Sequence, residues 1–375
     1  MPQQPMTERR EYRRGERTTL ASGQTHRLVL TRPFVTGFNQ GWFKNAFGSQ
    51  WITNWDAAEA RRLLAATARF GGRVFRIWMF EGLEPEGVIW DGDPTKSAWG
   101  YAGTRTRPTG LDGRKPENFR RFLELCKENG VRAYVTFFDA NMYYNDPNKP
   151  HPQYERRKNE WWNVLNDKYD AGKGFLEKVI APLLKQAQKG PSMTEWIFGF
   201  DLLNEFNALV KQNWFEGGWP GAVRFVRTWR KYIKEKGGDF KVTASFGHHD
   251  AVEHLLNGKL PKDAVDFYDF HAYSDKGDFS KVNKESELRE LAKGTPIYLG
   301  EFGQSNPAFD DVLQTKVTRA FITRARKVGL AGAFAWRLSD IRPGPKPNPE
   351  ARLSYEAFHT WRPAAYEFQA ASRTP

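Results

Sequence analysis

Short apolar runs alternate with longer amphipathic ones from Phe34 almost to the C-terminus. Eight short runs predict strands, at residues 34–40, 73–79, 131–138, 196–203, 241–246, 265–272, 296–300 and 332–336. Most are continuously apolar, as expected of parallel strands covered on both faces. The runs between them read as helices. One begins near Asn54, carries Asp56 and Glu59 in its first turn, and stops at Gly71-Gly72. Another opens at Pro116-Glu117, repeats apolar residues at Phe119, Phe122, Leu123 and Cys126, and stops at Asn129-Gly130. A polar cap, an early acid and a terminal glycine mark helix ends. Further helices are predicted at 174–189, 222–236, 284–293 and 310–328, with a short one at 251–256. Eight strands so separated predict an α/β fold, a single-domain (β/α)8 TIM barrel over residues 34–375. Residues 1–33 are expected to form an N-terminal extension packed on the barrel.

The connections are uneven. The stretches after the second and third strands, 81–115 and 139–173, are long, whereas the helix-to-strand turns are short. Long loops within a compact domain are usually functional, and in a TIM barrel such loops gather on the face that carries the active site. The Pro-rich stretch 342–349 reads as the last such loop.

Two carboxylates stand where strands end on that face. One run reads Phe200-Asp201-Leu202-Leu203-Asn204-Glu205, the other Ile297-Tyr298-Leu299-Gly300-Glu301-Phe302-Gly303. Acids after strands four and seven would face each other across the barrel mouth. Retaining cleavage of a glycosidic bond requires such a pair: one protonates the leaving oxygen, the other attacks the anomeric carbon. Either Glu alone could be a helix cap or a surface ion-pair partner; the two together predict catalysis.

These motifs resemble clan A glycoside hydrolases, in particular glycoside hydrolase family 5. The similarity runs through Phe34-Val35-Thr36-Gly37-Phe38-Asn39, Arg76 in Phe75-Arg76-Ile77-Trp78, His271 and Tyr273 in Phe270-His271-Ala272-Tyr273, and Trp336 in Phe334-Ala335-Trp336. The resemblance implies Glu205 as general acid/base and Glu301 as nucleophile, with Arg76, Asn204, His271, Tyr273 and Trp336 binding substrate. It also implies that Asn204 hydrogen-bonds the sugar 2-hydroxyl, that Arg76 and Tyr273 keep Glu301 ionised, and that Trp336 floors the adjacent sugar site. Two segments depart from the family pattern: Phe138-Asp139-Ala140-Asn141, where a histidine is common, and Gly247-His248-His249-Asp250.

Composition adds tryptophan to this picture. Of 14, Trp42, Trp90, Trp99, Trp161, Trp162, Trp214 and Trp219 fall in predicted strand-to-helix loops. They could stack on pyranose rings or pin the loops to the barrel. The formal charge of +13 raises the prospect of an acidic glycan, but no basic run or nucleic-acid motif accompanies it. The densest basic stretch, Arg9 to Arg17, is interrupted by acids. Cys126 is the single cysteine, on an apolar helical face, which excludes an intrachain disulfide and predicts a core thiol. No stretch approaches a membrane span, and the polar N-terminus lacks a signal-peptide core, so the protein is expected to be cytoplasmic or exported with its signal removed.

Three rival readings share the barrel. His248, His249, Asp250, His254 and His271 suggest a metal-dependent hydrolase. Against it, His-Glu-x-x-His is absent, and adjacent strand histidines point to opposite faces. A non-catalytic carbohydrate-binding barrel would lack one of the two acids. A transglycosylase would use the same site with a sugar acceptor. The sequence therefore predicts a retaining β-glycoside hydrolase acting on a β-linked oligo- or polysaccharide, endo rather than exo. It is expected to be a monomer with no metal, no cofactor, no nucleic-acid partner and no membrane insertion.

Overall fold

A computed structural model describes residues 33–43, 51–52, 55–80, 87–91, 107–140, 154–190, 193–281, 283–304, 310–339, 354–357 and 360–372. Residues 1–32 of the expected N-terminal extension, Trp99 and the stretch 342–349 lie outside the described residues. The strands are β1 (Val35–Asn39), β2 (Val74–Trp78), β3 (Val88–Trp90), β4 (Pro108–Leu111), β5 (Arg132–Asp139), β6 (Ile197–Asn204), β7 (Val242–Thr243), β8 (Tyr268–Tyr273), β9 (Ile297–Gly303), β10 (Gly332–Ala335), β11 (Glu356–Ala357) and β12 (Thr360–Trp361). Eight of them form one parallel sheet in the order β7-β6-β5-β2-β1-β10-β9-β8. Its two ends meet through the Phe246–Phe270 bridge, where Phe246 N donates to Asp269 O and His271 N to Phe246 O at 3.0 and 2.8 Å. The expected (β/α)8 barrel is the fold.

Helices follow the strands: α1 (Ala57–Arg69), α2 (Arg114–Asn129), α3 (Tyr154–Asn166), α4 (Ala171–Phe175), α5 (Ala181–Ala187), α6 (Phe206–Lys211), α7 (Trp219–Gly237), α8 (Ala251–Leu256), α9 (Glu285–Gly294), α10 (Asp311–Val328) and α11 (Pro363–Ser372). Their ends follow the residues that predicted them. Asp56 caps α1 by accepting from Ala58 N and Glu59 N, and Asp310 caps α10 in the same way. Gly130 and Gly329 close α2 and α10 in the left-handed region. Cys126 is buried on α2, and burial pushes its thiol pKa well up.

Several expectations are corrected. The stretch 81–115 holds the antiparallel β3–β4 pair, and 139–173 holds α3, so neither is plain loop. The strand expected at 241–246 is regular over only two residues; beyond them Ser245 N is shared between Leu203 O at 3.3 Å and the Asp201 carboxylate at 3.0 Å. The helix expected at 174–189 starts at Ala171 and passes through a π turn, Leu176–Ile180, next to Pro182, which has no N–H to give. The helix expected from 222 begins at Trp219.

The barrel interior is layered. Its lower layer is apolar: Val74, Tyr134, Phe198, Phe267, Tyr298 and Phe334 pack together, with rings mostly edge-to-face. Because strand side chains alternate, the next inward positions rise toward the mouth. Val74 is followed by Arg76 and Trp78, and Phe267 by Asp269, His271 and Tyr273.

Candidate active site

Arg76 joins the strands of the upper layer. It is 0% exposed, and its guanidinium reaches side chains from three other strands. Nη1 donates to Asn39 Oδ1 at 3.1 Å and to Glu301 Oε1 at 2.5 Å. Nη2 donates to Asp201 Oδ2 at 2.6 Å and to Asn204 Oδ1 at 2.7 Å. Burial opposes the arginine's charge, but Asp201 and Glu301 outweigh it and raise its pKa. A planar donor fork with fixed acceptors is rigid, so β1, β2, β6 and β9 are held in register at this level.

Glu301 is 4% exposed, and its two oxygens accept from different groups. Oε1 takes Arg76, while Oε2 takes the Tyr273 phenol at 2.8 Å. Its direction is set by a bulge: β8 pairs Phe270 with Leu299 but His271 with Glu301, which leaves Gly300 unopposed. Gly300 is required there, since a Cβ would lie 1.9 Å from Asp269 Oδ1.

Glu205 follows β6 in the left-handed region (φ 53°), which is unusual for a residue with a side chain. Its carboxylate lies against Gly247, whose added Cβ would stand 2.1 Å from the Glu205 Cδ. Two imidazoles flank it: His271 Nδ1 is 3.0 Å from Oε1, and His248 Nε2 is 3.5 Å from Oε2. Burial works to raise the Glu205 pKa, but His271, His248 and Arg76 outweigh it and the net shift is downward. His271 moves the other way. Burial lowers its pKa, yet Glu301, Glu205 and Asp269 raise it overall.

All seven expected site residues converge here. Asn204 donates to Asp139 Oδ1 at 2.7 Å while accepting from Arg76, so the departure at Asp139 supplies an orienting partner. Trp336 is 5% exposed and packs with Trp42, Trp78 and Tyr273. Trp42 meets both other indoles edge-on, at 5.3 and 5.4 Å. A cleft of about 470 Å³ opens from Glu205 past His248 and His249 to Lys276 and Lys281.

The expected tryptophan roles divide. Trp161 is 1% exposed on α3, edge-on to Phe138 and Trp90, and Trp214 is 5% exposed; both belong to the core. Trp162 lies on α3 and Trp219 opens α7, so neither is a loop residue. Trp90 lies on β3. Trp42 alone of the seven packs on Trp336 among the described residues.

The metal candidates also separate. His254 on α8 pairs with Asp250, just before that helix, at 3.0 Å, and Lys211 takes Asp250 at 2.5 Å. Among the described residues, the one group with ligand-like spacing is Glu205, His271 and Glu301, whose nearest polar atoms lie within 4.8 Å of one another. There Arg76 already neutralises Glu301, and the His271 nitrogen is bonded to Glu205. The arrangement suits proton transfer better than an ion. Sequence reasoning passed over Asn39, Asp139, Asp201 and Asp269 as site groups. For Asp139, Asp201 and Asp269 the signal is an acid between two apolar neighbours in a strand; Asn39, followed by Gln40, lacks it.

No family model matches the chain, and no curated protein matches it by sequence. By structure it is similar to an exo-β-1,4-mannosidase from Opitutaceae bacterium strain TAV5 (TM-score 0.64, 17% identity), over 95% of this chain and 61% of that one. It thus spans less than two thirds of that protein's length. It is also similar to a β-mannanase from the blue mussel Mytilus edulis (TM-score 0.59, 17% identity), over 91% and 92% of the two chains. A third is a GH5_18 protein from Streptomyces cattleya in complex with Manb1-4GlcNAc (TM-score 0.61, 15% identity), over 91% and 80%. The barrel implied by the sequence motifs is the fold these structures share.

Proposed function

We propose that this chain is a retaining β-glycoside hydrolase of the family 5 type, with Glu205 as general acid/base and Glu301 as nucleophile. One observation carries the reading: oxygens of the two carboxylates approach within 4.8 Å, yet their surroundings differ. Retaining enzymes hold their acids about 5–5.5 Å apart, too close for a water to sit between nucleophile and sugar. Glu301 is fixed by a cation and a phenol, which suits a group that must stay anionic and attack. Glu205 is flanked by imidazoles and opens on the cleft, which suits a group that exchanges protons with leaving group and water.

The reaction follows from this placement. Glu301 Oε bonds to the anomeric carbon as the glycosidic C–O bond breaks, and the leaving oxygen takes a proton from Glu205. Water then attacks the same carbon, gives a proton to Glu205, and releases Glu301. In this reading Asn204, held by Asp139 and Arg76, binds the 2-hydroxyl, and Trp336 lies under the ring. The substrate is a β-linked glycan, and the three similar structures make β-1,4-mannosides the first class to test. Incubation with a panel of β-mannans, β-glucans and acidic glycans, with products read by mass, identifies it. Proton NMR of the fresh hydrolysate is expected to show the β-anomer first; an initial α-anomer would exclude retention.

A further inference from the structure

Resting Glu205 has a lowered pKa, whereas a general acid must hold a proton. The groups behind it address that conflict. Asp269, two residues before His271 on β8, is 0% exposed in the middle of the barrel. Its Oδ2 accepts from the Tyr134 phenol at 2.5 Å. Its Oδ1 has no hydrogen-bond partner among the described residues, nor has His271 Nε2, and the two stand 3.6 Å apart. The other His271 nitrogen is 3.0 Å from Glu205 Oε1 and 3.5 Å from Glu301 Oε2. The order is therefore Tyr134, Asp269, His271, Glu205: a buried carboxyl at one end of an imidazole and the acid/base at the other. Gly300 makes room for that carboxyl, since any side chain there would displace it.

We propose that Asp269 is a positioning residue that acts through His271 to keep a proton available to Glu205. The inference rests on the glycosidase reading above. An ionised Asp269 favours a proton on the imidazole, and the imidazole shares it through Nδ1 with Glu205. In the first chemical step that proton leaves on the departing oxygen; in the second, water restores one to Glu205. The groups facing Asp269 are His271 on its own strand, Arg76 from β2, Tyr134 from β5 and Asp201 from β6. Burial lifts Asp269 to about 7, against His271 and Arg76 but with Asp201, while the Tyr134 hydrogen bond opposes the rise. The carboxyl thus changes charge in the range where a working acid/base pair must hold its proton. Removing an anion from beside His271 loosens every proton in the pair, so the last one is lost at lower pH.

The test is Asp269→Asn in the full chain. Nitrogen-15 NMR of labelled histidine, assigned with His271→Gln, is expected to show the His271 pKa falling by about one unit. The basic limb of kcat/KM for a glycoside with a poor leaving group should move down by a similar amount. With an activated aryl glycoside, which departs without a proton, the limb for the first step should not move. A merely structural role would lower both rates without shifting either limb. Tyr134→Phe removes the donor that favours ionised Asp269, and it should shift the same limb the same way by less; it decides the matter if Asp269→Asn does not fold. An unmoved His271 titration in a folded variant overturns the proposal, as does an unmoved basic limb in an active one. A shifted His271 titration in a protein that cleaves no glycoside supports the coupling and removes the function it was meant to serve.

Discussion

The lower and upper halves of the barrel interior are built on the same strands but carry opposite chemistry. Below, Val74, Phe198, Phe267 and Phe334 fill the space with apolar side chains, whose contacts are individually small and together large. Above, Arg76, Asn39, Asp201, Asp269, His271 and Glu301 occupy equivalent inward positions, nearly all without solvent. Burying these charges is costly unless each has partners, and the partners must stand at fixed distances. The lower half can thus tolerate repacking, whereas the upper half permits one arrangement. The fold is secured below, and the geometry of the reaction is specified above.

The largest effects are expected where the upper layer meets substrate. Glu205→Ala should still form the glycosyl-enzyme from an aryl glycoside with an activated leaving group, then stall. Azide should rescue turnover and give a β-glycosyl azide. Glu301→Ala should form no covalent intermediate, and azide could at best give the α-azide. On natural substrate each variant should lose on the order of 10²–10⁴-fold in rate. Azides of the opposite configurations would exchange the two roles, and undiminished activity in both would place the site elsewhere.

Next come two substitutions that set the halves against each other. Arg76→Met leaves Glu301, Asp201 and Asp269 without their shared cation; it is expected to destabilise the chain by about 3–5 kcal/mol and to abolish activity. Phe198→Ala opens a cavity below the site and should also destabilise by about 3–5 kcal/mol. Because the polar layer above keeps its partners, the folded Phe198→Ala fraction should keep most of its kcat. Urea unfolding together with kcat per folded molecule separates the two. Equal losses of kcat would mean that the two halves are not separable.

The two halves also differ in how far the sequence discloses them. The lower half is a matter of pattern: apolar runs of strand length, capped helices and terminal glycines are local signals, and the barrel follows from their order. Glu205, Glu301, Arg76, Asn204, His271, Tyr273 and Trp336 are visible for a related reason, because they stand at strand ends in short motifs. The rest depends on contacts made across the barrel. Asp269 sits in Tyr268-Asp269-Phe270, and nothing local says that Tyr134, 135 positions away, will meet it. The shortened β7 is just as non-local, since the Ser245 N–H is shared between Leu203 O and the Asp201 carboxylate, both more than 40 positions away. The β3–β4 pair is hidden because its polar surroundings, rich in glycine and proline, read as loop; α3 has neither residue, but it follows Pro147, Pro150 and Pro152 and reads as loop with them.

Asp269 also carries a smaller, pH-dependent prediction about stability. Its pKa in the folded chain, about 7, lies above the ordinary value of 3.8. The folded state therefore binds this proton more tightly than the unfolded state does, and stability falls as pH rises between those two values. Above the folded pKa the full penalty applies; below the unfolded pKa there is none. Asp269→Asn removes it, so the variant should gain about 1–3 kcal/mol over the parent at pH 8 and less at pH 4. A gain at pH 8 together with a basic limb moved to lower pH would mark Asp269 as a group kept for reactivity at the expense of stability. Equal stability at both pH values would mean that the carboxyl is not held near 7.

The smallest effect concerns an arginine paired with an aspartate outside the barrel. Arg227 on α7 reaches both oxygens of Asp263 at 2.8 and 2.7 Å, within 0.2 Å of the 2.6 Å between Arg76 and Asp201. The side chains are 49% and 69% exposed, however, so water competes for every one of these bonds. Exposed pairs are worth about 0.2–1 kcal/mol, and ordering two long side chains takes back part of the Coulomb gain. Arg227→Ala should therefore lower stability by less than about 1 kcal/mol at low salt. At 1 M salt, where the screening length falls to about 3 Å, most of that difference should vanish. The Arg76→Met penalty should barely change between the two salt concentrations, since neither ions nor water reach a pair with no exposed surface. Matching salt dependence in the two variants would show that the upper barrel is wetter than its packing implies, and would weaken the contrast drawn between buried and exposed charge.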